Sequence, residues 1–194
     1  MLIDGDSFEE KNAERQNFKK MGNKAQVKAE ELRKEFPRLC FDAMPRYLDF
    51  ENAMFLIRES DIVFLGVDNH ATRKIVSDRA IQLENVLIIS GGNELTDGNV
   101  RIHWRRGCRD ITLPLANKFH PEIMEPTDRN PADLGCGEMI ESQPQLVIMN
   151  NLIAAHMLAA FYAFLQGRID YDEVYLDLLS GQARTVRRTM KAGR

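Results

Sequence analysis

An aspartate and an asparagine, Asp68 and Asn69, stand where a buried strand gives way to a helix. The apolar run 61–67 predicts the strand, and ligands of open α/β sheets bind at the carboxyl ends of such strands. A carboxylate and an amide at that point suit a nucleotide, a metal ion or a reacting phosphate. The simpler alternative is that Asp68 only caps the next helix, since Asp and Asn are good N-caps. The pair therefore predicts a ligand site or a helix cap at this edge of the sheet.

A second acidic segment follows an apolar pair at the start of the chain. Residues 2 and 3 are typical of a strand end, and the sequence Asp-Gly-Asp at 4–6 comes next. In dinucleotide-type folds an acid at the end of the second strand holds the ribose hydroxyls, and a glycine-rich turn lies about 20 residues before it. No such turn precedes Asp4, and Gly91 and Gly92 lack the GxGxxG spacing. We expect either that the first strand and helix are missing or that the likeness is accidental.

A cysteine with two glycine neighbours, Cys136, lies in the segment 114–144, which holds five of the seven prolines. We expect this segment to be a long crossover loop, and loops of this length are usually functional or disordered. The flanking glycines favour an accessible thiol, which the helix expected to begin near residue 143 could help to ionise. A small residue buried by chance is the alternative.

Composition restricts the class of protein. The chain has 194 residues, 44% of them hydrophobic, and a formal net charge of -3, which predicts a single domain over 1–194 with no affinity for nucleic acid or anionic membranes. Its three cysteines form no CxxC pair, so we expect no zinc, and their odd number favours reduced thiols in the cytoplasm. The apolar run 146–165 contains two asparagines and a histidine, so it predicts a buried helix and not a membrane span.

Strand and helix patterns alternate along the rest of the chain. Helices are predicted over 24–36, 50–58, 72–83 and 146–166, and strands over 39–44, 61–67, 86–90 and 100–104, the last at the sheet margin. A hairpin is predicted around Ser180 and Gly181. This alternation predicts an α/β fold with a mostly parallel sheet and helices on both faces.

Several of these motifs, taken in order, resemble those of the ThiF-type adenylyltransferases, the activating enzymes of ubiquitin-like and sulfur-carrier proteins. The N-terminal part resembles the family's "DxD…N..RQ…G..K" run at residues 4–6, Asn12, Arg15, Gln16 and 22–24. Asp68 and Asn69, with Ala-Thr-Arg at 71–73, resemble the next motif, and the strand 86–90 with its two glycines resembles the one after. Cys136 and the apolar helix behind it are similar to the family's cysteine-to-helix segment. The resemblance covers essentially the whole chain.

The resemblance implies a fold and a reaction. The fold would be a Rossmann-like sheet, N-terminally truncated, that ends in a C-terminal hairpin. The reaction would be ATP-dependent adenylation of the C-terminus of a small β-grasp carrier protein, which yields an acyl-adenylate and pyrophosphate. A cysteine, here Cys136, could then take the acyl group as a thioester.

The same resemblance implies roles for individual residues. Arg15 and Lys24 would contact phosphate, Arg with two donors and Lys as a point charge. Asn12 would orient a phosphate or a nearby backbone group. The remaining roles fall to acidic and amide residues: Asp4 on the ribose hydroxyls, Asp6 as support for the same loop, Asp68 on Mg²⁺, and Asn69 beside it.

Two alternatives follow from the missing glycine-rich turn, whose backbone N–H groups would cradle phosphates. In the first, the chain is an adenylyltransferase that an upstream segment or a separate polypeptide completes. In the second, it is a non-catalytic homologue that binds a carrier protein or a partner subunit. A nicotinamide-dependent oxidoreductase on the same fold is a weaker third, because no GxGxxG and no catalytic Tyr-Lys or His pair is recognisable. A sheet without its central strand would leave edges unpaired, so we expect a homo-oligomer or a partner subunit.

Overall fold

The computed structural model describes residues 1–8, 20–134 and 145–188. The helices are α1 (Lys24–Glu35), α2 (Phe50–Leu56), α3 (His70–Ala80), α4 (Pro121–Met124) and α5 (Val147–Leu165). The strands are β1 (Leu2–Ile3), β2 (Ser7–Phe8), β3 (Gly22–Asn23), β4 (Ala43–Met44), β5 (Ile62–Leu65), β6 (Val86–Asn93), β7 (Asp97–Arg106), β8 (Arg109–Asp110), β9 (Glu173–Asp177) and β10 (Gln182–Val186).

The main sheet is mixed and has the strand order β10-β9-β7-β6-β5, with β8 beside β7. Its only parallel pair among the described strands is β5–β6, because β6 and β7 are joined by a turn too short for a crossover. The predicted strand 100–104 therefore extends to ten residues and lies inside the sheet, not at its margin. The C-terminal hairpin forms as β9 and β10.

Two small sheets surround the N-terminal segment. Strands β1 and β4 pair in parallel, and β2 pairs with β3 in the antiparallel sense. Within the described residues, β1 pairs only with β4 and β5 only with β6, so each has one edge without a neighbouring strand. The predicted mostly parallel arrangement is thus limited to the β1–β4 and β5–β6 pairs.

Helices cover both faces of the main sheet, as predicted for an α/β fold. Helix α5 packs on β6 and β7 through a core that includes Leu87, Ile89, Val100 and Ile102. On the other face α3 packs through Val76 and Ala80, in a core that Leu115 and Ile123 of the crossover segment complete. The sheet therefore separates two apolar layers.

Helix α5 differs from the buried helix that its composition predicts. Only Met149, Ile153, Met157 and Ala160 are buried, and they form one seam against the sheet. By length and composition alone the helix is also apolar enough to cross a membrane. Gly167 follows the last turn, as predicted: it takes a positive φ of 65°, and its N–H donates to the backbone oxygen of Phe164.

Candidate functional site

Asn23 holds the loop that follows β1. It caps α1, because its Oδ1 accepts a hydrogen bond from the N–H of Gln26 at 3.1 Å. Its Nδ2 donates to the backbone oxygens of Asp4, at 2.8 Å, and Asp6, at 3.0 Å. The N–H of Lys24 also donates to the backbone oxygen of Asp6, at 2.8 Å. The end of β1 and the start of α1 are thereby joined in one unit.

The carboxylate of Asp6 is the centre of this unit. Its Oδ2 pairs with Nζ of Lys24 at 2.8 Å, and its Oδ1 accepts from the hydroxyl of Tyr47. Burial opposes the ionisation of Asp6, but the hydrogen bonds from Lys24 and Tyr47 outweigh it, so the pKa of Asp6 is lowered. Asp6 is therefore an anion that holds Lys24 at the loop.

Asp4 follows β1 and Asp68 follows β5, and their electrostatic interaction indicates that the two strand ends lie near each other. Burial raises the pKa of Asp4; the Asp6 N–H and the Lys24 charge act against this, and the charges of Asp6 and Asp68 add to it. Burial, together with Asp6, Asp4 and Asp68, also raises the pKa of Tyr47 above its usual range. Neighbouring carboxyl groups whose pKa values move in opposite directions are typical of functional sites.

The start of α3 is capped without Asp68. Asn69 is the N-cap, and its Oδ1 accepts from the N–H of Thr72 at 2.7 Å. Asp128, from the crossover segment, accepts from the N–H groups of His70 at 2.6 Å and Ala71 at 2.9 Å. Within the part of the chain that the structure describes, the Asp68 carboxylate has no hydrogen bond or ion pair. Asn69, and not Asp68, therefore caps α3. The Asp68 carboxylate is available to bind a ligand.

The chain that carries these strand-end acids and the paired lysine is similar to known proteins. The family model described as the ThiF family matches residues 1–191. The chain belongs to the ThiF family. No curated protein matches the sequence significantly.

Solved structures of similar fold come from MccB of E. coli and from PaaA. MccB with ATP is 17% identical, with a TM-score of 0.68, and the match covers 96% of this chain and 55% of MccB. MccB with MccA-N7isoASN is also 17% identical, at a TM-score of 0.65 and coverages of 96% and 56%. PaaA is 15% identical, at 0.66, with coverages of 96% and 63%. The chain thus spans little more than half the length of these proteins, which share its α/β fold.

The ThiF-family chain brings four of the predicted site residues together and leaves three undescribed. Asp4, Asp6 and Lys24 are linked by hydrogen bonds, and Asp68 interacts electrostatically with Asp4. Asn69 lies next to them, with its side-chain oxygen engaged in the cap. The other predicted residues, Asn12, Arg15 and Cys136, lie outside the described residues, so their roles stay predictions.

Arg73 belongs to a motif that the sequence analysis identified, but its role as a positioning residue was not predicted. It is 5% exposed and donates to the backbone oxygens of Val67, at 2.5 Å, and Gly91, at 2.9 Å, and to Oγ of Ser90 at 2.6 Å. Burial, with the charge of Arg101 nearby, lowers the pKa of Arg73 to about 10, so it remains a cation at neutral pH. It ties the carboxyl ends of β5 and β6 together immediately beside Asp68.

Tyr47 was also missed. It follows β4, whose carboxyl end lies beside that of β1 because the two strands are parallel. That placement is the signal that could have found it, since side chains after neighbouring parallel strands meet at one edge.

A cluster of ionisable side chains, centred on the buried His120 and Glu173, anchors the crossover segment to the sheet. His120 lies between Glu122, at 3.0 Å, and Glu173, at 2.5 Å, and Arg188 pairs with Glu173 at 3.0 Å. Burial would raise the pKa of Glu173, but hydrogen bonds from His120, Arg188 and Tyr175 lower it to about 2. The described part of the predicted crossover loop, 114–134, is therefore an ordered segment with a short helix and several anchors.

The described residues include no group of three or more His, Cys, Asp or Glu side chains arranged to hold a metal ion. Mg²⁺ needs fewer protein ligands, because it usually binds one or two carboxylates together with phosphate oxygens and water. The Asp68 carboxylate, which has no partner among the residues that the structure describes, fits that requirement. Cys40 and Cys108 are exposed free thiols.

Proposed function

We propose that this chain carries the nucleotide site of an enzyme that adenylates the C-terminal carboxylate of a peptide or small carrier protein. The carrying observation is the cluster of Asp4, Asp6, Lys24 and Asp68, built from the ends of β1 and β5 and the start of α1. Family membership and the fold shared with MccB, which has been crystallised with ATP, support the same proposal.

The chemistry explains the residue types. When a carboxylate attacks the α-phosphate of ATP, negative charge grows on the phosphate oxygens, and a preorganised cation stabilises it. Lys24 supplies that cation from the described residues, and Arg15 would supply a second. Asp4 would accept hydrogen bonds from the ribose hydroxyls. Its raised pKa makes its carboxylate a stronger hydrogen-bond acceptor. Asp68 would hold Mg²⁺, which bridges phosphates and neutralises their charge.

The experiment is ATP–pyrophosphate exchange together with direct ATP binding. Asp68→Asn removes the carboxylate at the end of β5 and should lower exchange at least 100-fold, because the chain would no longer hold the Mg²⁺ that neutralises the phosphate charge. Asp42→Asn, an exposed aspartate just before β4, is the matched control and should leave exchange unchanged. Exchange in Asp68→Asn equal to that of the control would overturn the assignment.

The acceptor is proposed to be a β-grasp carrier protein with a free C-terminus. MccB is crystallised with MccA and with MccA-N7isoASN, so a short peptide is the competing acceptor for this chain. Exchange should be measured with a carrier that ends in Gly-Gly and with MccA at equal concentration. Exchange that depends on the peptide alone would reject the carrier proposal but keep adenylation.

Thioester transfer to Cys136 is a separate proposal, carried by the sequence motif around that cysteine. Cys136→Ala should leave exchange intact and abolish a thiol-sensitive adduct between the chain and the acceptor. Cys40→Ala and Cys108→Ala are the matched controls and should retain the adduct. An adduct that persists in Cys136→Ala would exclude this role.

A non-catalytic binding role is the second candidate, and a specific observation favours it. The sequence contains no GxGxxG run, and β1 and β5 each lack a neighbour on one edge within the described residues. In this role the chain would bind a carrier or a partner subunit through these edges without making adenylate. ATP binding without exchange, under conditions that support exchange by an active relative, would favour it.

We further propose that the chain forms oligomers in a reducing, cytoplasmic environment. The outer side of α5 exposes Ile148, Leu158, Tyr162 and Leu165, here called the α5 patch, and α5 contains no charged residue. Ile62 and Phe64 of β5 are also exposed, and Phe64 contacts Phe161 of α5. Exposed apolar residues grouped in this way are typical of an interaction surface. A second copy of the chain that covers this patch accounts for it.

A further inference from the structure

The ring of Tyr47 passes over the backbone of the loop after β1. A Cβ atom built on Gly5 would lie 2.5 Å from Cγ of Tyr47 and 2.6 to 2.7 Å from its two Cδ atoms. Real Cβ atoms do not approach a ring so closely, so only glycine at position 5 leaves room for it. The ring position is therefore set by the same loop that carries Asp4 and Asp6.

The hydroxyl of Tyr47 completes the contacts of Asp6. Oδ1 of Asp6 accepts from Tyr47, and Oδ2 accepts from Nζ of Lys24 at 2.8 Å. The loop backbone is fixed independently, because Asn23 holds the carbonyls of Asp4 and Asp6. Tyr47 thus acts on the Asp6 side chain and not on the course of the chain.

We propose that Tyr47 is a positioning residue of the nucleotide site, which holds Asp6 so that Lys24 can be shared between Asp6 and a phosphate. The inference rests on the proposed function. A lysine ammonium has three donors and can bind a carboxylate and a phosphate together. When Lys24 turns towards phosphate, its bond to Asp6 weakens, and the Tyr47 hydroxyl keeps the partly buried carboxylate hydrogen-bonded. Without Tyr47, Lys24 would remain more tightly held by Asp6.

The electrostatics of the loop agree with this role. Burial disfavours the charged form of Asp6, and hydrogen bonds from Lys24 and Tyr47 lower its pKa in spite of that. The pKa of Tyr47 is raised above its usual range by burial and by Asp6, so the phenol stays protonated and remains a donor at physiological pH. Asp4 and Asp68 are the other titratable groups of the described residues that face this arrangement.

The test is Tyr47→Phe in the full chain, which keeps the ring and removes the donor. The pKa of Asp6, followed by carboxyl ¹³C NMR without nucleotide, should rise by about one unit, and the Kd for ATP should rise about tenfold, as expected for a hydrogen bond to a charged group. The matched control is Tyr171→Phe, between α5 and β9 and outside the α5 patch, which should change neither quantity.

A second pair of variants isolates the proposed coupling. In the Asp6→Asn background, Tyr47→Phe should have no further effect on the Kd, because the charged acceptor is already absent. Gly5→Ala should displace the ring and weaken ATP binding in the same direction as Tyr47→Phe.

The outcomes separate this inference from the proposed function. A wild-type chain that binds no ATP would reject the proposed function, while the Asp6 titration would still decide whether Tyr47 holds Asp6. An unchanged Asp6 pKa in Tyr47→Phe, or equal effects of Tyr47→Phe with and without Asp6→Asn, would overturn the role given to Tyr47.

Discussion

Arg73 is the residue on which the geometry of the β5 end depends most. Two of its three acceptors lie on β6 and the third just after β5, and two of the three are backbone carbonyls that a shorter side chain would leave unpaired. Lysine keeps the charge but lacks the planar fork that reaches several acceptors at once. The side chain therefore fixes the position of the segment that carries Asp68.

We predict that Arg73→Lys lowers the free energy of unfolding by about 2–3 kcal/mol, because buried acceptors lose their partners. Urea denaturation measures the loss. The matched control Arg38→Lys, at an exposed position, should stay within about 0.5 kcal/mol of the wild type. An equal stability of the two variants would contradict the bracing role of Arg73.

The pKa of Glu173 leads us to expect that the free energy of unfolding falls at acidic pH. Its pKa falls from about 4.5 to about 2 on folding, since hydrogen bonds from His120, Arg188 and Tyr175 outweigh burial. The unfolded chain therefore takes up this proton first as the pH drops. The contribution of Glu173 is complete above about pH 5 and is lost as the pH falls towards 2.

In Glu173→Gln the slope of unfolding free energy against pH between 5 and 2 should become shallower, and stability at pH 7 should also fall because His120 and Arg188 lose their charged partner. Denaturant titrations at several pH values provide the measurement. Glu125→Gln, an exposed change near α4, should keep the wild-type slope. A wild-type slope in Glu173→Gln would show that another group controls acid unfolding.

At the scale of elements, α3 begins with a full set of caps. Asn69 is local, whereas Asp128 is 58 residues away from His70 and reaches the helix from the crossover segment. A carboxylate at this end also interacts favourably with the helix dipole. A phosphate is thus not expected at the α3 N-terminus, and the anion site must be built from Lys24 and its neighbours.

Removal of the Asp128 carboxylate tests this capping. We predict that Asp128→Ala costs about 1–2 kcal/mol of stability, in line with the loss of a helix cap. It should also loosen the crossover segment, which hydrogen exchange of the His70 and Ala71 amides would detect. Asp133→Ala, an exposed aspartate in the same segment, is the control and should alter neither stability nor exchange. Unchanged protection of these two amides in Asp128→Ala would contradict the capping role.

Some features of the elements around the site could be predicted from the sequence, and others could not. The strand ends at Asp4 and Asp68 were predictable, because in each case an apolar run typical of a strand is followed directly by an acidic residue. Asp128 was not, since nothing local reveals which carboxylate reaches a helix end from so far along the chain. Tyr47 was missed for a related reason: its place over Gly5 depends on how β4 lies beside β1. The length of β7 depends on its pairing with β6 and β9, which local periodicity does not show.

At the scale of the whole molecule, two kinds of surface remain without a partner in the described chain. The outer edges of β1 and β5 have no neighbouring strand there, and the α5 patch is apolar over most of a 19-residue helix. The outer edge of β5 and the α5 patch lie on the same side of the molecule, because Phe64 of β5 stacks edge-to-face on Phe161 of α5. A partner that covers one of them is therefore well placed to approach the other.

We predict that Leu158→Glu shifts the chain from an oligomer to a monomer of 22.2 kDa in light scattering, because a charge in the α5 patch would be buried unpaired. Leu158 is 61% exposed, so the change should leave the free energy of unfolding of the monomer within about 0.5 kcal/mol. Leu179→Glu is the matched control: Leu179 is 81% exposed in the turn between β9 and β10, away from the α5 patch, and it should keep the wild-type mass. A wild-type chain that is already monomeric, or one that sediments with lipid vesicles through α5, would contradict the self-association that this surface predicts.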